Sequence, residues 1–337
     1  MNDTGLANTK DLSVIVPSNL DQRMDWLKHR LTFLYRNGYQ GETLVGVWRG
    51  HDKLNELLAF CLSLSSRIRV VAQDGSRRFA ERVLELSEQT RGKHVIQIGD
   101  DDFLLPEPLV QLAEVLERDP SIVCAQGRSL FINSSLTLPL QIRPFPVWPA
   151  LETDLLTRFT QYCTHSGQLF HAMFRRADFI ERYRWMDEAM AQTKNDVWFE
   201  MIGEFYGVIK GRFFIVDEIF ILRGKDANSE SRNIRSDHRQ FPFFLLEEDF
   251  SPTYKFFERQ LFRMFTSQGV NVEDPVTRTI IRTGVLNIFG TAVFGRRADL
   301  PIEEVRLSAM LHEQPTPAVL ERILGMVLNT KAEASQA

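Results

Sequence analysis

At 337 residues, 44% of them hydrophobic and 25% charged, the chain is long enough to bury one large core with a smaller appendage, and its composition argues against a disordered, collagenous or disulfide-stapled protein. A formal net charge of -4 leaves no broad basic field to gather nucleic acid. The three cysteines, Cys61, Cys124 and Cys163, lack C-x-x-C spacing and lie in apolar settings, which argues for buried thiols in a reducing compartment and against a zinc site.

Residues 1–10 are polar, without the basic-then-apolar order of a signal peptide, and the first apolar run, 12–16, is too short to span a bilayer. The expectation is a cytoplasmic protein without a transmembrane segment, with peripheral membrane contact left open. From there, short β-branched runs alternate with helical patterns: strand 12–17, helix 21–37, strand 43–48, helix 53–65, strand 68–72, helix 77–90 and strand 94–98. Repeated β-α units predict an α/β fold, a mostly parallel sheet covered by helices. Pro106 starts a further helix that ends near Glu117, and 121–126 reads as a strand.

Pro139, Pro144, Pro146 and Pro149 then predict a hairpin or long loop, followed by a helix over 151–162, a strand near 168–174, a helix over 195–206 and a hairpin-like pair over 207–222. The chain is helical in pattern from 251 onward, over 253–267, 275–289, 301–312 and 317–328. This divides it into an α/β domain, 1–249, a helical C-terminal region, 250–330, and a small polar tail, 331–337, that is expected to fray.

The segment of greatest chemical interest runs from Val95 to Pro106: a buried strand, then Gly99, then Asp100, Asp101 and Asp102 in succession. Three adjacent carboxylates repel one another, so a cation is one natural compensation, and ligands of open α/β sheets sit outside the carboxyl ends of the strands. The competing reading is a solvated acidic turn that caps the helix at Pro106. Two other strand ends are polar as well, Pro17-Ser18-Asn19 and Gln73-Asp74-Gly75-Ser76.

Together these segments resemble the family 2 glycosyltransferases of the GT-A fold, whose first strand ends in a Pro-x-x-Asn-like turn, a later strand in Asp-Gly-Ser, and whose DXD-like metal motif precedes a proline. The likeness covers roughly residues 12–232. It implies an inverting transferase that moves a sugar from a nucleotide-sugar donor to a hydroxyl of a carbohydrate or lipid-linked carbohydrate acceptor. It also implies a divalent cation, Mn²⁺ or Mg²⁺, on Asp101 with Asp102 as second or alternate ligand, and a nucleotide pocket with Pro17, Asn19, Asp74 and Asp100. Anchoring the motif on Pro106 puts Gly99 where the family has its first Asp.

Inverting transfer needs a base for the acceptor hydroxyl. Thr193-Lys194-Asn195-Asp196 resembles the family's acidic pair at a helix start, with Asp196 as base and Asn195 in place of the first acid; the plainer reading is a helix cap. Arg223-Gly224-Lys225, after the last apolar strand, resembles the family's Arg-x-His segment with Lys225 for His, and either cation could neutralise the leaving diphosphate. His165 receives no role, and Arg175, Arg176, Arg182 and Arg184 read as a solvated helix face. The rivals are a carbohydrate-binding or scaffold protein that has lost turnover and a nucleotidyltransferase. The latter would carry a Gly-rich loop after its first strand, where this chain has Pro17-Ser18-Asn19.

Overall fold

The computed structural model describes residues 8–20, 23–133, 142–145, 148–165, 169–193, 196–225, 250–294 and 317–334. The first half repeats strand and helix: β1 (Leu12–Pro17), α1 (Met24–Arg36), β2 (Glu42–Trp48), α2 (Leu54–Leu64), β3 (Ile68–Gln73), α3 (Phe79–Glu88) and β4 (His94–Gln97). A short β5 (Phe103–Leu104), α4 (Pro106–Arg118), β6 (Ile122–Asn133) and β7 (Ile142–Phe145) follow. The remainder comprises α5 (Leu155–His165), β8 (Met173–Arg175), α6 (Arg176–Gln192), α7 (Asp196–Lys210), β9 (Arg212–Lys225), α8 (Phe250–Ser267), α9 (Pro275–Phe294) and α10 (Pro317–Ala334).

The strands form one sheet in the order β3-β2-β1-β4-β8-β6-β9-β5, with β7 paired to β6. β3, β2, β1 and β4 are mutually parallel, as the β-α repeat predicts. β8 runs antiparallel to both β4 and β6. Alternation along each strand divides the core. Val14 and Val16 face α1, α2 and α4 through Leu27, Leu31, Phe60, Leu109 and Leu112. Ile15 and Val95 face α3, α6 and α7 through Val83, Tyr183 and Ile202. Coverage on both faces is why β1 is apolar without a break, and each such side chain contributes about 1.5–3 kcal/mol of burial.

The C-terminal helices join these layers. Phe257, Phe265, Ile281 and Val285 of α8 and α9 complete the core around α5 and α7, whereas Ile323 and Val327 of α10 pack with Phe33, Phe103 and Leu222. α10 carries the helix to Ala334, into the stretch from Lys331 expected to fray. The predicted helix at 301–312 lies outside the described residues.

Two expectations are corrected. No hairpin occupies 207–222: α7 continues to Lys210, and β9 is a single strand parallel to β6. Gly207 is a packing residue and not a turn, since a Cβ there would stand 3.0 Å from Cys124 Sγ. The solvated face read for α6 holds at Arg184, whose side chain is 63% exposed, and fails at Arg182, which is 0% exposed, donates from Nε to Gly203 O at 2.9 Å and lies 5.0 Å from the Phe174 ring centroid. The proline-broken stretch, expected as a hairpin or long loop, contributes 142–145 as a strand antiparallel to β6, in keeping with a hairpin.

Candidate functional site

After β1 the chain builds β2 and β3 on one side, and β4 then returns to the other side of β1. Such a reversal opens a crevice at the carboxyl ends of the two strands. Ile98 N–H donates to Ile15 O at 3.0 Å, drawing the end of β4 against β1. The chain then makes a β-turn closed by Asp102 N–H to Gly99 O, 3.3 Å. The three acids therefore sit in a tight turn at the crevice, and their side chains diverge.

Asp100 reaches back to β1. Its Oδ2 accepts from Ser18 Oγ at 2.8 Å and from the Asn19 N–H at 3.3 Å, and its Oδ1 pairs with Arg23, which precedes the first residue of α1, at 2.6 Å. Asp102 instead ties the turn to itself and to β9: Oδ2 accepts from Gly99 N–H and Oδ1 from Gly224 N–H, both at 3.1 Å. Asp100 and Asp102 are 3% and 4% exposed. Asp101 is the open member, its side chain 14% exposed and its ion pair with Arg23 long at 3.9 Å.

This geometry overturns the helix-cap reading. α4 is preceded by Leu105 with no side-chain cap, and Pro106 occupies its start, while Leu105 N–H donates to Phe220 O at 2.8 Å. It also explains the departure at Gly99, where a Cβ would stand 2.7 Å from Asp101 Oδ1 and 3.0 Å from Asp102 Oδ2. An aspartate at that position would require the Asp101 carboxylate to shift.

Burial, reinforced by Asp102 and Asp100 and opposed by Arg23, pushes the Asp101 carboxyl up to about 7. Beneath the turn, Arg30 donates from Nε to Asp101 O at 3.2 Å and lies 3.4 Å from the Phe103 ring centroid. Burial lowers the Arg30 guanidinium to about 9 against the pull of the three acids, so it remains charged at neutral pH. His29 braces it: Arg30 NH1 donates to His29 Nδ1 at 3.1 Å, and His29 Nε2 donates to Val327 O of α10 at 2.9 Å. Part of the compensating charge predicted for the acid cluster is thus supplied by arginines of α1.

The donor set bears on a metal in the same way. Among the described residues no group of three His, Cys, Asp or Glu could hold an ion, and the carboxylates of Asp100 and Asp102 are engaged by protein donors. Asp101 remains, which fits a hard cation that arrives with diphosphate oxygens and water to complete its shell, and does not fit a cation held by protein alone.

Behind Asp102 stands His171, whose Nδ1 donates to Gln97 O at 3.0 Å while Nε2 lies 3.6 Å from Asp102 Oδ2. Burial, helped by Arg223 and opposed by Asp102, lowers it to about 4, so it is neutral at physiological pH. Two turns into α7 from Asp196, burial raises the Glu204 carboxyl to about 7 although Tyr162 OH donates to it at 2.8 Å. Asp196 is the first residue of α7. One turn on, Phe199 meets Phe79 at the start of α3, ring centroids 6.1 Å apart, and this places the helix start at the same end of the sheet as the acid turn.

The structure therefore places Pro17 and Asn19 at the end of β1, Asp100, Asp101 and Asp102 in the turn after β4, and Arg223 near the end of β9, where its neighbour Gly224 bonds Asp102. Lys225 is the last residue of β9; Asn195 and residues 226–232 lie outside the described residues. Asp74 lies at the same end of the sheet, two strands away from β1. It follows β3, the edge strand, and its exposed carboxylate accepts from Ser76 N–H at 2.9 Å and Ser76 Oγ at 2.8 Å. Ser18, Arg23, His171, Glu204 and Gly224 were missed in the sequence. Only Glu204 left a signal, the four-residue spacing of Asp196, Glu200 and Glu204 along one helix face.

Family models and curated protein sequences gave no match to the chain. Solved structures did. S. aureus TarS 1-349 in complex with UDP-GlcNAc is 14% identical over 89% of this chain and 79% of that one, TM-score 0.53. A further structure of S. aureus TarS 1-349 is 13% identical over 86% of this chain and 94% of that one, TM-score 0.49. The mannosyltransferase PcManGT from Pyrobaculum calidifontis, in complex with GDP-Man and Mn²⁺, is 12% identical over 96% and 86%, TM-score 0.42. At such identity the likeness extends to the fold, which is the GT-A-like α/β fold of glycosyltransferases.

Proposed function

We propose that the chain is a nucleotide-sugar-dependent, inverting glycosyltransferase. The observation that carries the reading is the acid turn at the β1/β4 reversal: two buried carboxylates fix its shape and leave the third, Asp101, the most exposed of the three, at the end of the sheet where α/β proteins take ligands. A solvated structural turn would not bury two acids to hold one at a crevice.

In this reading Pro17, Asn19 and Asp100 form the wall on which the nucleotide lies, and the Asp74 turn borders it. Asp101 would hold Mn²⁺ or Mg²⁺, which would supply neutralisation of the diphosphate, while Asp102 shapes the turn through its bonds to Gly99 and Gly224. Asp196 takes the proton of the acceptor hydroxyl as its oxygen bonds to the anomeric carbon and the bond to the nucleoside diphosphate breaks. Arg223 and Lys225, at the end of β9, offset the charge of the leaving group. Among the described residues no helix is long and apolar enough to cross a membrane.

The test is sugar release and transfer from a panel of nucleotide sugars, with and without EDTA, in wild type and Asp196→Ala. Transfer is expected in wild type, lost with EDTA, and reduced about 10²–10⁴-fold in Asp196→Ala. Full turnover in Asp196→Ala would remove that residue as the base. Donor binding without turnover in wild type would favour a carbohydrate-binding or scaffold protein instead.

A further inference from the structure

The carboxyl ends of the parallel strands carry one large aromatic that the proposed mechanism does not use. Trp48 ends β2 and is 37% exposed, among the few large hydrophobic side chains on the described surface. The sheet places it beside the nucleotide wall, because β2 is the neighbour of β1 and Ser18 N–H donates to Gly46 O at 2.9 Å. A single buried side chain links the two: the Arg82 guanidinium lies 5.8 Å from the Trp48 ring centroid and donates to Ser18 O at 3.4 Å and Gly46 O at 3.5 Å. Ser18 is in turn the residue that holds Asp100.

Two features fit the indole to a planar ligand. Gly75, in the turn after β3, lies beside it: a Cβ there would already touch the ring at 3.5 Å, so a long branched side chain at 75 would extend over the indole, and glycine adds no such cover. The separation is also suitable. From the end of β2 to the end of β4 is two strand spacings, roughly 10 Å, about the reach from a nucleobase across its ribose to the diphosphate.

We infer that Trp48 is the platform on which the donor's nucleobase stacks, with Gly75 keeping that face clear. The inference rests on the nucleotide-sugar reading and adds to it how the base is held. An indole offers a π-face and no acceptor at that position, so the base is gripped by stacking, which every base can satisfy.

The test is the affinity of UDP, GDP and ADP, with Mn²⁺, for wild type, Trp48→Ala, Trp48→Phe and Gly75→Leu. The nucleotide that binds wild type should quench indole emission. Its affinity should fall about 10- to 100-fold in Trp48→Ala, fall comparably in Gly75→Leu, and stay within about threefold of wild type in Trp48→Phe, which keeps a ring. Unchanged affinity in Trp48→Ala, or equal losses in Trp48→Ala and Trp48→Phe, would overturn the stacking assignment and leave the transferase reading standing. Absence of binding by wild type to all three would remove both.

Discussion

Two acidic turns close parallel strands of this sheet, and they differ in nearly every respect. After β4 the carboxylates of Asp100 and Asp102 are buried and tied to distant strands, through Ser18 on one side and Gly224 on the other. After β3 the Asp74 carboxylate is exposed and bonded only within its own turn, to Ser76. Both have turn-forming residues, and the contrast comes from position: β4 lies at the reversal of strand order, where two strand ends converge, and β3 lies at the edge. A carboxylate acquires an energetic role when the topology surrounds it with elements that need it.

The strongest break in that comparison is Asp102→Ala. It leaves the N–H groups of Gly99 and Gly224 without their acceptor in a buried turn and should lower unfolding free energy by on the order of 2–4 kcal/mol in denaturant titrations, most of it the cost of unsatisfied buried donors. Stability equal to wild type would show that the turn does not depend on its link to β9.

Asp101→Asn should behave in the opposite sense, and in a pH-dependent way. The folded protein holds this carboxyl at about 7, above the usual carboxylate range, so its contribution to stability is complete below about pH 4 and is lost as pH rises through 7. Without divalent metal, the variant should match wild type at pH 4 and exceed it at pH 8 by on the order of 1–3 kcal/mol. A constant difference across that range would contradict the assignment.

The smallest effect is predicted at the other turn. Asp74→Ala should change nucleoside diphosphate affinity by less than about threefold, since its carboxylate serves a surface turn where one hydrogen bond is worth little. A tenfold loss in calorimetric affinity would give the Asp74 carboxylate a direct part in nucleotide binding and weaken the contrast between edge and reversal.

Much of this was legible in advance, and the limits have physical causes. The parallel half was readable because strands buried on both faces are apolar runs and their helices carry a regular stripe, as in Leu27, Leu31 and Leu34 of α1. The acid turn was readable because consecutive carboxylates are costly. The division of labour within it was not, since it depends on Ser18, Arg23 and Gly224, which approach only in three dimensions. The span 207–222 was misread as a hairpin-like pair because α7 runs on through Gly207, which packs against Cys124 and Phe174, to Lys210. Arg182 was misread because aromatic rings and the Gly203 carbonyl make its burial tolerable. Trp48 gave no signal, since tryptophan is an ordinary strand residue until its exposure is known.

The central claim is that Asp101 is the one carboxylate of the acid turn left to meet a nucleotide-borne cation. Calorimetric titration of Mn²⁺ into wild type and Asp101→Asn, with and without saturating nucleoside diphosphate, tests it most directly. The account predicts weak Mn²⁺ binding by wild type alone, tight binding once the nucleotide is present, and loss of that enhancement in Asp101→Asn. Tight Mn²⁺ binding without nucleotide, or an enhancement that survives in Asp101→Asn, would contradict it.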